Sequence, residues 1–238
     1  MKPNNGTLRA VGLILFVTGV LLGMALFGVS TWADFESTFY FGYGVTGVKS
    51  LHLSCPPILT STESKSVTAY IRNTTDRQLE PSIQTDISNI LAVRSDRTPI
   101  TVPAHQTVPF RWALTNEDVV FGHLILVHIY QFQSFINPSA DATCGILYLN
   151  LSGVTGMQIF LLALAGTLLG IVGGLVLWAR NSEPLEGRTR RQMRGMIFLA
   201  AIVGLGLVFG WAGWWGAGIL AFVVAALLLV ILLAPGQG

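Results

Sequence analysis

Charge is what this sequence lacks most. Of its 238 residues only 14 are Lys or Arg and 12 are Asp or Glu, which makes 11% charged against 52% hydrophobic. A soluble domain carries about 25% charged residues. Nearly all the charge falls in residues 34–141 and 180–194. That segregation, with a mean hydropathy of +0.61, points to a membrane protein with one sizeable polar region. The net charge of +2, with no basic run interleaved with aromatics, gives no reason to expect nucleic acid.

Signatures of chemistry are missing as well. There is no HExxH, no GxSxG, no GxxxxGK[ST] and no GxGxxG opening a helix. The four histidines are His52, His105, His123 and His128. His123 and His128 share one predicted strand at odd spacing, which turns them to opposite faces. Glu117 and Asp118 lie in the turn TNED and read as solvated. Nothing looks like a nucleophile beside a base. The expectation is a non-enzyme without cofactor, metal or evident small-molecule substrate. The apolar runs hold no Asp, Glu, Lys, Arg or His, the residues on which pumps and proton relays depend.

Long apolar runs are abundant instead. A helix needs roughly 20 apolar residues to cross a hydrocarbon core about 30 Å thick. Residues 11–32 and 153–178 each supply one such span. The block 196–234 would be about 60 Å long as a single helix, so it reads as two spans, 196–211 and 217–234. The reversal falls at residues 212–216, among Gly210, Gly213 and Gly216. Backbone groups freed at a turn cannot face lipid. Trp211, Trp214 and Trp215 are therefore expected as interfacial anchors, with Trp32 and Trp178 in the same role. Lys2 and Arg9 precede the first span, and five arginines lie in the basic loop 179–195. The positive-inside rule makes both of these cytoplasmic. Residues 1–10 and 235–238 are then cytoplasmic termini, and 33–152 are extracytoplasmic, at a plasma or inner membrane. A secretory signal ending at VSTWA is the competing reading, although the apolar stretch is longer than a usual signal core.

Glycines recur four apart within the spans: Gly19 and Gly23, then Gly166, Gly170 and Gly174, then Gly206 and Gly210. Small residues at this spacing let helix backbones approach closely. They would pack the bundle itself, or dock another membrane subunit or a second copy. RTRRQMR beside the third span serves as a topology signal and could attract anionic lipid.

Residues 34–152 read as six or seven short strands with no helix. KSVTAYIRN alternates on Val67, Ala69 and Ile71, PSIQTDISNI on Ile83, Thr85 and Ile87, and HLILVHIYQFQSF is a central strand buried on both faces. VTAYIRNTTDRQLEPSIQTDIS resembles the strand, Asn, polar turn, strand signature of bacterial immunoglobulin-like domains of the CARDB or adhesion-module kind. ITVPAHQTVPFRWALT is similar to their turn before an aromatic strand, with His105 where glycine is usual. The resemblance implies a β-sandwich and, weakly, a binding role. The fold class expected is a membrane α+β protein: four transmembrane helices with an extracytoplasmic immunoglobulin-like sandwich between the first and second. The Cys-Cys-Gly of tetraspanins and the Trp-Gly-Leu-Trp pattern of claudins are absent.

Cys55 and Cys144 stand near the two ends of this domain, in an oxidising compartment, and are expected to pair. Two buried free thiols are the alternative. Of the sequons at Asn5, Asn73 and Asn150, only Asn73 is a credible glycan site. The function expected is an accessory, scaffold or adhesion protein that contacts lipid and other integral membrane proteins or itself. Phe39, Tyr40, Phe41 and Tyr43 of the segment FYFGYG are the candidate contact surface, unless that segment is simply a packed linker. A channel-like subunit is the alternative, for which only Thr155, Gln158 and Thr167 offer polarity within a span.

Overall fold

The computed structural model describes residues 5–42, 51–63, 66–132, 139–182 and 187–234. Its elements are α1 (Asn5–Phe41), β1 (Leu51–Ser54), β2 (Ile58–Thr60), β3 (Ser66–Arg72), β4 (Ser82–Ile87), β5 (Arg94–Pro99), β6 (Thr107–Ala113), β7 (Leu124–Gln131), β8 (Ala140–Leu149), α2 (Gly156–Arg180), α3 (Gly187–Trp211) and α4 (Trp215–Leu233). A single 3-10 turn, Asn116–Asp118, precedes β7. The fold is α+β. It divides into a helical unit, Met1–Thr31 with Phe160–Gly238, and a β unit, Trp32–Ile159.

All four helices are long and apolar enough to cross a membrane. In the helical unit, Phe16, Val20, Met24 and Phe27 form one stripe of α1 at helical spacing. The stripe packs against Met196, Leu199 and Val203 of α3 and Ala225 and Leu229 of α4. Glycine allows the approach. A Cβ added at Gly19 would come 2.6 Å from the Ile171 nitrogen, and one at Gly170 would come 2.7 Å from the Gly19 Cα. One at Gly174 would strike the Phe16 backbone. Gly23 faces Val203 and Thr167, Gly166 faces Leu22, and Gly206 faces the Phe27 ring. Gly210 meets Phe27 only at ordinary contact distance, 3.6 Å. Because the Gly19 and Gly170 neighbours are backbone, no rotamer can relieve a clash there. Gly19→Leu is expected to cost about 1–3 kcal/mol, read as a lower melting temperature of the full chain in detergent. Gly204→Leu, where nothing lies within 4 Å, should melt like the parent. Equal melting of the two variants would remove the packing role.

Several helix boundaries differ from the sequence expectation. Residues 33–41, assigned to a domain without helix, continue α1 without a break. No proline or glycine interrupts them until Gly42, which takes φ +83° and ends the helix. Likewise α3 begins at Gly187, inside the expected loop 179–195. Arg, Gln and Met are good helix formers, so the basic segment joins the helix it precedes. The reversal before α4 narrows to Ala212–Trp214, with Gly213 at φ +67°.

The β unit has two sheets, β1-β3-β6 and β2-β8-β7-β4-β5. Every pairing is antiparallel except β2 with β8. Their inward side chains share one cluster: Val67, Ala69, Ile71 and Trp112 from the first sheet, Ile83, Ile87, Ile125, Val127, Ile129 and Ile146 from the second. At Cys55-Pro56-Pro57 the chain leaves the first sheet and joins the second as β2. A Cys55–Cys144 disulfide fastens that crossing to β8. β5, the segment RSDRTP, is an exposed edge. Its first four residues, Arg94–Arg97, carry no apolar alternation, so the sequence places the strand only from Thr98 onward, in TPITV.

Candidate functional site on the helix-covered sheet face

Strand alternation fixes which side chains leave the core. With Val127 opposite Cys144 and turned inward, Leu126, His128 and Tyr130 of β7 turn outward together with Gly145, Thr143 and Asp141 of β8. Gln84 and Asp86 of β4 and Ser95 of β5 share that outer face. The last turns of α1 lie on it.

The contact is polar and specific. Asp34 Oδ1 accepts the Gly145 N–H at 3.0 Å. Ser37 Oγ donates to the Val127 carbonyl at 3.1 Å, and Thr38 Oγ1 meets Thr143 Oγ1 at 3.1 Å. Phe41 stacks on the His128 imidazole with centroids 5.4 Å apart. Ala33 packs against Val120, Leu124 and Leu126. A Cβ at Gly145 would overlap the Ala33 carbonyl, so this strand position admits only glycine. The residues doing this, 34, 37, 38 and 41, have the i, i+3, i+4, i+7 spacing of one helix face. That spacing is the signal in the sequence that marks these residues as helix.

Beside the helix lies a half-buried polar cluster. Asp86 accepts bonds from Ser95 Oγ and from Gln84 Nε2, the latter at 3.0 and 3.1 Å to its two oxygens. His128 Nδ1 stands 3.4 Å from Asp86 and its Nε2 3.9 Å from Asp141. The serine hydroxyl therefore faces the carboxylate and not the imidazole, so the arrangement lacks the serine–histidine contact that nucleophilic catalysis needs. It ties β4, β5, β7 and β8 together. Among the described residues no group of three or more His, Cys, Asp or Glu is placed to hold a metal.

The aromatic candidates divide. Phe39 and Tyr40 are exposed, Phe41 is engaged with His128, and Tyr43 lies outside the described residues. Among the predicted anchors, Trp32, Trp211 and Trp214 are exposed and Trp215 is half-buried. Trp178 is not an outward anchor: it is only 2% exposed. The Arg9 guanidinium lies over its ring at 5.1 Å while donating to Gln192 at 3.1 Å. Gly12 makes the room, because a Cβ there would come 2.6 Å from the Trp178 nitrogen.

Other polar residues prove to have structural work. Thr155 and Gln158 form a capping box at the start of α2, each side chain meeting the other's backbone N–H. Thr167 Oγ1 donates to the Ala163 carbonyl. Asp118 is fully buried rather than solvated, accepting from Arg94 at 3.0 Å and from the Thr115 N–H at 2.7 Å. Asn73 is also buried. Its amide donates to the carbonyls of Arg77, Val102 and Pro103, and its oxygen accepts from Thr75. An amide so engaged offers no glycan acceptor in the folded unit.

No family model matches this chain, and no curated protein matches it. Among solved structures it is similar to the crystal structure of DesR, a beta-glucosidase from Streptomyces venezuelae in complex with D-glucose. Identity is 18% and the TM-score 0.24, over 48% of this chain and 18% of the glucosidase. The chain thus spans less than a fifth of that protein, and a likeness at this level carries no argument about fold or activity.

Proposed function

We propose that this chain is a non-enzymatic integral membrane protein of the accessory or scaffold type. Its four helices span the membrane, both termini are cytoplasmic, and its β unit is an extracytoplasmic immunoglobulin-like sandwich. Strand order supports the last point. With the first strand divided into β1 and β2, the trios β1-β3-β6 and β8-β7-β4 correspond to the A-B-E and G-F-C sets of that fold. The disulfide departs from the usual B–F position, joining Cys55 after β1 to Cys144 in β8.

The observation that carries the reading is how little of the helices the chain covers itself. Between 17% and 44% of each apolar stretch is buried internally. Leu162, Leu169, Val172, Val208 and Val230 point outward, a pattern of helices apolar all round. Such surface suits lipid and the helices of a partner. Gly173, Gly204 and Gly216 have open space over them, which leaves room for a close helix contact with another subunit. The test is gentle detergent extraction from the native membrane, native sizing, and mass spectrometry of what co-migrates. A larger assembly of fixed stoichiometry is expected. A chain that migrates alone or only with itself would end the accessory reading.

A further inference from the structure

Among the described residues of the β unit, its largest exposed aliphatic and phenylalanine side chains beyond the α1 helix gather at one end. Leu91 is 95% exposed, Ile90 72% and Phe121 63%. Register shows which end this is. Leu124 pairs with Leu147, and β8 finishes two residues later at Leu149. On the other side of β7, Ile87 pairs with Val127, and the Ser88 N–H donates to the Leu126 carbonyl. Continuing that register brings residues 89–91 level with Ile146–Tyr148, and the Ile90 N–H donates to the Glu117 carbonyl just before Phe121. The tip of the β4–β5 hairpin and Phe121 thus lie at the end from which the chain leaves β8 for α2. Six residues, 150–155, separate Leu149 from the first residue of that apolar helix.

The linking segment is tied to the same end. The Ser61 N–H donates to the Leu149 carbonyl, Thr60 Oγ1 to the Val154 carbonyl, and the Gly156 N–H to Glu63 Oε2 at 2.7 Å. Within it Leu151 and Val154 are exposed too. The hairpin tip, Ser88 to Val93, is uncharged throughout. Phe121 is held at φ +53°, a left-handed backbone uncommon for a bulky residue. The opposite end differs: its turns carry exposed Asp76 and His105, 2.8 Å apart.

We propose that the tip Asn89–Val93 and Phe121 form an apolar foot that dips into the interfacial layer of the bilayer α2 enters. A contiguous exposed apolar patch marks an interaction surface. Continuity with the apolar helix six residues away selects lipid as its occupant, since loops at that end share its depth. The inference rests on α2 spanning a membrane.

The test uses the full chain in phosphatidylcholine–phosphatidylglycerol vesicles, spin-labelled at one introduced cysteine at a time: Leu91→Cys, Asp76→Cys or Leu169→Cys. The native cysteines are joined and take no label. Collision with oxygen, which concentrates in lipid, is compared with collision with a water-soluble nickel chelate. Oxygen should dominate at 169 and at 91, and the chelate at 76. If 91 behaves like 76 while 169 is in lipid, the foot is wrong and the spanning helix stands. If 169 also meets the chelate, the spanning reading fails and takes the foot with it. A label at 91 shielded from both reagents would mean that protein covers the tip, which also overturns the proposal.

Discussion

A Gly145→Val chain is expected to lose the seating of the last turns of α1 on the sheet, destabilising the β unit by about 4 kcal/mol. The added Cβ would fall on the Ala33 carbonyl, and neither backbone can step aside by a rotamer change. Over-packing alone costs about 1–3 kcal/mol. Moving the helix away also breaks the Asp34, Ser37 and Thr38 hydrogen bonds and the Phe41–His128 stack, each hydrogen bond being worth about 1 kcal/mol. Hydrogen exchange is the direct readout: amides of residues 33–41 should lose protection in Gly145→Val and, in the same direction, in Gly145→Ala. Parental protection and an unchanged melting temperature would show that the helix seat adds nothing to stability.

Removing the disulfide is expected to have an effect of similar size by a different route. Cys55 and Cys144 are 89 positions apart. Closing a loop of that length restricts the unfolded chain by about 4–5 kcal/mol in the chain-entropy account. The native contacts around it are apolar, so Cys55→Ala with Cys144→Ala leaves no buried polar group to confuse the result. The doubly substituted chain should melt well below the parent, and a reductant should lower the parent's melting temperature while leaving the variant's unchanged. A loss under about 1 kcal/mol would mean that the unfolded chain already keeps those two segments close.

What could be read from the sequence depended on whether local pattern or distant contact decides each element. Four apolar helices, strands such as Val67–Ala69–Ile71 and a buried β7 were legible because periodicity reports burial directly. The first four residues of β5 were not, because an edge segment made of Arg, Ser and Asp has no buried face to pattern it. The extension of α1 to Phe41 was missed because Asp34, Ser37 and Thr38 look like the start of a polar domain, and only the sheet opposite gives them partners. The Asp86–His128–Asp141 cluster joins residues from three strands, and sequence spacing alone does not reveal it. Trp178 misled for a related reason. Its place at the end of a span suggested an interfacial anchor, but Gly12 and Arg9, far away in sequence, draw it inward.

The borders of the two sheets bear on how such a chain tolerates crowding. A row of unpaired backbone groups is a template on which another chain can add a strand. β2 offers only three residues at one border. β5 presents Arg94, Asp96 and Arg97 at the other and closes at Pro99, while in the smaller sheet one border, β6, carries Pro109 and the other, β1, has only four residues. These borders discourage neighbouring copies from zipping together into fibrils. What the β unit presents outward is thereby side chains rather than long free strand edges.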